Sequence, residues 1–153
     1  MQTLKINIPK GFVIDKFDET TGEVSFKPTP KVVTERIKTF EDVLLENNTD
    51  QTHFDDECEG LTADEIAYKK IKLIAKALNE GWTPDWTNSN ETKYHPYFLM
   101  GSPSGGGFSY HDRGSWLTSS SVGSRLCYKS RDLAIYAGKQ FTDIYEDFLT
   151  LNK

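Results

Sequence analysis

Between Thr62 and Gly81 the chain spells out a helix with both of its ends marked. Thr62-Ala-Asp-Glu65 is a capping box, in which the threonine hydroxyl and the Glu65 carboxylate satisfy amides that the first turn leaves without partners. Ala67, Ile71, Ile74 and Leu78 then recur at helical spacing, with Lys69, Lys70, Lys72 and Lys76 mostly on other faces. One stripe must therefore be covered while the rest faces water. Gly81 stands where a helix C-terminus adopts left-handed backbone. Such a helix needs something to lie against, and the remaining chain has to supply it.

The flanking sequence reads as strands and one more long helix. Leu4, Ile6 and Ile8 alternate with Lys5 and Asn7, the period of a half-buried strand. Phe12–Phe17 leads through Thr20-Thr21-Gly22 into a run where Val24 and Phe26 share a face, which predicts a hairpin. Pro28 and Pro30 stop it, because proline cannot donate to a ladder. Thr39 caps a short helix ending near Glu46. Strands are expected at Lys93–Met100, Gly107–His111 and Arg125–Lys129. A final helix begins at a Ser130 cap, with Asp132 on the positive end of its dipole and a stripe of Ala134, Ala137, Phe141, Ile144 and Phe148. The order of elements predicts an α+β fold, an antiparallel sheet with an N-terminal hairpin and two main helices packed on one face. At 153 residues a single domain, 1–153, is the simplest division.

Composition excludes more than it selects. No apolar run approaches the ~20 residues that span a bilayer, and Met-Gln-Thr-Leu-Lys lacks the apolar core of a signal peptide; a cytoplasmic protein with no membrane partner is expected. Two cysteines supply neither a disulfide framework nor a four-thiolate zinc site. A net charge of −5 argues against nucleic acid as the partner. The charge is uneven. Residues 41–60 hold eight acids and no Lys or Arg, and read as a solvated polar loop. Residues 101–142 hold five bases against two acids.

Catalytic and cofactor patterns fail on particular residues. In Gly101-Ser-Pro-Ser-Gly-Gly-Gly107 a phosphate loop would need Lys and then Ser or Thr after the last glycine, and Phe108 follows instead. The run reads as a hairpin turn. His53-Phe-Asp-Asp-Glu-Cys58 has metal-ligand residue types without metal-site spacing, and there is no Gly-x-Ser-x-Gly elbow. Cys127 lies in an apolar pattern that predicts burial. The expectation is a non-enzyme with no metal and no cofactor. Of the pair in Trp82-Thr-Pro-Asp-Trp86, Trp82 is read as packing and Trp86 is left open.

One anion-binding pattern survives. Arg125–Lys129 runs into Ser130-Arg131-Asp132 at a helix start, where free amides, a hydroxyl and nearby cations suit a phosphate or carboxylate. Arg113 and the Ser119-Ser120-Ser121 run would join them if their loops fold over the same edge. Tyr110, Trp116 and Tyr128 supply rings that stack on a base. The candidate ligand-binding set is therefore Tyr110, Arg113, Trp116, Ser120, Arg125, Tyr128, Lys129, Ser130 and Arg131. The competing reading is an ordinary capped helix with surface arginines.

Leu4-Lys-Ile-Asn-Ile-Pro-Lys-Gly-Phe-Val-Ile-Asp-Lys16, Leu78-Asn-Glu-Gly-Trp-Thr-Pro-Asp-Trp86 and the segment from Leu126 to Phe141 resemble small uncharacterised proteins of phages and prophages of Bacteroides-type gut bacteria. The resemblance implies a bacterial cytoplasm and a mobile-element setting, and carries over no active site. Together with the cationic segment it leads to an expected function. The chain would be a non-catalytic accessory protein that binds a small anionic, nucleotide-like ligand, sequesters a host-defence signal, and encloses its ligand as a homo-oligomer. The alternatives are a structural or protein-interaction component, with the acidic stretch or Trp86 and Trp116 as its contact, and a single-stranded nucleic-acid binder.

Overall fold

The computed structural model describes residues 5–29, 31–101 and 107–150. The chain divides into two compact units, Met1–Val32 and Val33–Lys153.

The first unit contains the expected hairpin, β1 (Phe12–Phe17) paired antiparallel with β2 (Val24–Pro28). Its turn is held by the Asp18 carboxylate, which accepts from the amides of Thr20 (2.7 Å) and Thr21 (3.0 Å), while Gly22 takes the positive φ of 71°. A bulge between Ile14 and Lys16 shifts the register by one residue. That shift brings Phe17 onto the face already occupied by Phe12, Ile14, Val24 and Phe26. None of the described residues of this ribbon is buried. The strand expected around Ile6 and Ile8 does not form: residues 5–8 are irregular, with no strand to pair with, and Leu4 lies outside the described residues.

The second unit opens with three short helices, α1 (Val33–Arg36), α2 (Phe40–Glu46) and α3 (Gln51–Asp56), before the long α4 (Ala63–Asn79). A hairpin follows, β3 (Lys93–Leu99) with β4 (Ser109–Trp116), then a 3-10 turn at Ser124–Leu126, α5 (Arg131–Gln140) and α6 (Thr142–Leu149). The α+β class is as expected, with two separate two-stranded antiparallel sheets. The stripe Ala67, Ile71, Ile74, Leu78 is buried against Leu133, Ala134 and Ala137 of α5 and Phe141, Ile144 and Tyr145 around α6. On its other side α5 lies on the ribbon at Gly138. A Cβ there would stand 2.5 Å from the Tyr110 ring and 2.7 Å from Pro96 Cβ, so the absence of a side chain sets the approach.

Three elements differ from expectation. The acidic stretch 41–60 is mostly helical rather than a polar loop. Thr39 and Asp50 cap α2 and α3, and Leu44 and Phe54 bury a small cluster that holds both helices down. The last helix is two helices, because the chain bends at Phe141 (φ −122°, ψ 34°) and the Thr142 hydroxyl donates to the Gly138 carbonyl at 2.6 Å. Arg125–Lys129 is no strand. It makes the 3-10 turn and then a single bridge, Tyr94 to Tyr128, with N–H···O distances of 3.1 and 2.7 Å.

The segment after that turn is fixed by the buried Asn79 at the end of α4. Its amide donates to the Cys127 carbonyl (2.8 Å) and its oxygen accepts from the Lys129 amide (2.9 Å). Removing that side chain strands two backbone groups, each costing about 1–3 kcal/mol. Asn79→Ala should therefore lower stability by about 2–3 kcal/mol, read as a shift of the urea midpoint with the slope unchanged.

Candidate functional site

The segment that leaves α4 is organised by a lysine. Lys93, at the start of β3, is wholly buried. Its ammonium donates to the carbonyls of Asp85, Asn88 (3.3 Å) and Glu91 (2.8 Å), meets the Glu91 carboxylate at 3.2 Å, and lies 5.3 Å from the centre of the Trp86 ring. Three carbonyls, a carboxylate and an aromatic face are what a desolvated cation requires. The loop is stitched further by the Asp85 amide on Glu91 (2.8 Å) and by Thr87, whose amide and hydroxyl both donate to the Asp85 carboxylate. The Trp86 indole donates to Ser124 Oγ at 2.7 Å, which ties this loop to the 3-10 turn. Trp86, left open by the sequence, thus closes the lysine cage.

Loop, turn and helix enclose a groove of about 640 Å³. Trp82 and Pro84 form one wall, Lys72 and Lys76 stand one turn apart on α4, and Arg125 comes from the 3-10 turn. No carboxylate lines it. Lys72 rests over the Tyr68 ring at 4.7 Å. Lys76 and Arg125 form no ion pair among the described residues. The neighbouring Asn79 already makes both of its backbone bonds, so the free polar capacity of the groove is cationic.

Of the nine residues singled out in the sequence, Arg125 lines this groove and the others do not. Tyr128 is fully buried with its hydroxyl 2.8 Å from that of Tyr145, so it offers no face to a ligand, contrary to expectation. Ser130 Oγ accepts from the Leu133 amide at 3.3 Å and the Lys129 ammonium pairs with Glu80 at 3.1 Å; the helix start is capped and its lysine engaged. Ser120 accepts from the amides of Val122 and Gly123, holding a turn. Trp116 stacks on His95 at 4.0 Å and 9°. Arg113 lies over the Tyr94 ring at 5.6 Å. Both Arg113 and the exposed Arg131 favour ionisation of the Tyr110 hydroxyl, whereas burial and Asp112 push it up more strongly. Arg113 and Arg131 therefore lie toward Tyr110, while Arg125 faces the α4 groove. Residues 102–106 of the glycine-rich run lie outside the described residues.

The sequence did not mark Lys72, Lys76 or Lys93 as site residues. For the first two a signal existed: cations at i and i+4 in the last turns of a helix, followed directly by tryptophan. For Lys93 there was none, since its partners are backbone carbonyls.

The described residues contain no group of three potential metal ligands and no helix long and apolar enough to cross a membrane. Burial pushes the Cys127 thiol up to about 11, far from a reactive thiolate at neutral pH. No family model matches the chain, and comparison with curated proteins and with solved structures finds no match.

Lys93→Met should leave three carbonyls and a carboxylate without their donor, lowering stability by about 3 kcal/mol and shifting tryptophan emission to the red. Hydrogen bonds hold the carboxyls framing the loop below the usual range, Asp85 chiefly through Thr87 and Glu91 chiefly through the Asp85 amide. Depressed values in the folded state mean a contribution present above about pH 4 and lost as pH falls through the lowered values. Emission should hold steady from neutral pH to about 4 and shift only below it, where fluorescence titration reads it directly.

Proposed function

We propose that this chain is a non-catalytic binding protein for a small anionic ligand with a flat ring, of nucleotide type, held in the groove beside α4. The observation that carries the reading is the company of Trp82 with Lys72, Lys76 and Arg125 around one hollow that no carboxylate lines. An indole face accepts a base or other flat ring, and three cations meet its phosphate or carboxylate. A volume of 640 Å³ lies within the ordinary range for small-molecule sites. The rigid lysine cage behind Trp82 supports it, because a wall fixed in advance loses little entropy on binding. Sequestration needs affinity without chemistry, which suits a mobile-element protein that withdraws a nucleotide signal from its host.

A second reading, a protein-interaction component, is favoured by the first unit. Phe12, Ile14 and Phe17 on one face of the ribbon are 42%, 41% and 51% exposed, and a two-stranded ribbon alone is marginal in water.

Calorimetry against nucleoside monophosphates, cyclic nucleotides and ADP-ribose decides between them. Binding should quench tryptophan emission and weaken with added salt. Arg125→Ala should weaken it about tenfold, the loss of one charge-assisted contact of ~1.4 kcal/mol. Silence across the panel would remove the small-ligand reading.

A further inference from the structure

The β3–β4 ribbon has two faces of opposite character. Pro96 and Phe98 turn toward α5 and α6, whereas Lys93, His95, Tyr97 and Leu99 alternate onto the other side, opposite Trp116, Gly114 and Asp112 in the ladder. On that outer side Tyr97 is 55% exposed, Leu99 46% and Met100 56%, and Leu149 reaches the same place from α6 at 40%. These side chains border a concavity of about 510 Å³. The stacked rings of His95 and Trp116 line it, in a packing that Gly114 permits: a Cβ there would lie 1.9 Å from His95 Nε2. No Asp, Glu, Lys or Arg lines the hollow. Burial keeps the imidazole of His95 below its ordinary pKa and so neutral. Asp112, exposed and opposite Tyr97, stands on this face outside the lining.

We infer that this face is where two copies of the chain meet about a twofold axis, the rim of Met100 and Leu149 on each copy seating in the hollow of the other. Three features select a second copy as the occupant. The first is area. With roughly 200 Å² for each large side chain when bare, the four exposed residues offer roughly 400 Å² of apolar surface. A face with the usual apolar share of just over half then covers roughly 700 Å² per copy, about 1,400 Å² in all, the size of a stable interface. The second is charge. Each copy carries −5, so like copies repel unless they meet over a neutral surface, and the lining of this hollow is neutral. The third is form. A projecting rim beside a recess on one face is the self-complementary arrangement that a twofold contact needs.

Sedimentation velocity on the full chain from about 1 to 100 µM tests this directly. The expected species has twice the 17.4 kDa chain mass and dissociates on dilution. Tyr97→Lys and Leu149→Lys should each weaken association at least 100-fold, with near-UV circular dichroism confirming the fold. Should Tyr97→Lys fail to fold, Met100→Lys gives the same reading from a more exposed position. Phe17→Ser on the N-terminal ribbon should leave the dimer intact. A wild-type monomer throughout the range overturns the proposal. So does a dimer insensitive to both lysine substitutions, or one that only Phe17→Ser dissociates.

Discussion

Ala67, Ile71, Ile74 and Leu78 of α4 leave almost no surface to water, and separate pieces of chain are needed to keep it so. α5 covers part of the stripe with small residues, Ala134 and Ala137, which let the helices approach closely; α6 brings larger ones, Ile144 and Tyr145. Fully burying side chains of this size is worth about 1.5–3 kcal/mol each, the largest favourable contribution in the second unit. The bend at Phe141 follows from the same demand. A straight helix with this stripe would carry its far end away from α4, whereas the break at Phe141 begins a second helix that stays on it. The β3–β4 ribbon is then held from the opposite side of α5 through Gly138.

Polar groups do the finer positioning. Burying Asn79 and Lys93 is unfavourable unless every hydrogen-bonding group finds a partner, and both find theirs on backbone. Asn79 fastens the stretch around Cys127 to the end of α4, and Lys93 gathers the loop that carries Trp82 and Trp86. The groove lies between these two fixed points. Its geometry therefore depends on side chains that do not themselves face a ligand. The lysine cage supplies what a bound cation would supply in another protein, with the charge carried on the chain.

The candidate site was less legible in the sequence than the helices. The capping box at Thr62, the stripe of α4 and the cap at Ser130 are local patterns, and each of them formed. The assembly of cations from several segments was a guess about long-range geometry. Arg125 found a groove, but beside Lys72, Lys76 and Trp82 rather than Arg113 and Arg131. The stretch that was to carry Tyr128 as an exposed stacking ring instead buries it against Tyr145. Nothing in the letters Leu-Cys-Tyr-Lys tells which ring turns inward, since that depends on the Asn79 clamp fifty residues earlier.

The sequence by itself determined the hairpin near the N-terminus, the two helix starts, the α+β class and the uneven charge, because capping, periodicity and turn chemistry act over a few neighbouring residues. Only the tertiary structure decided that the acidic stretch would coil into helices over Leu44 and Phe54, that the last helix would break, and which cations would share a hollow. Those outcomes hang on burial and on backbone partners far away along the chain. Free energies of that kind belong to surfaces in contact, and a contact exists only once the chain has folded.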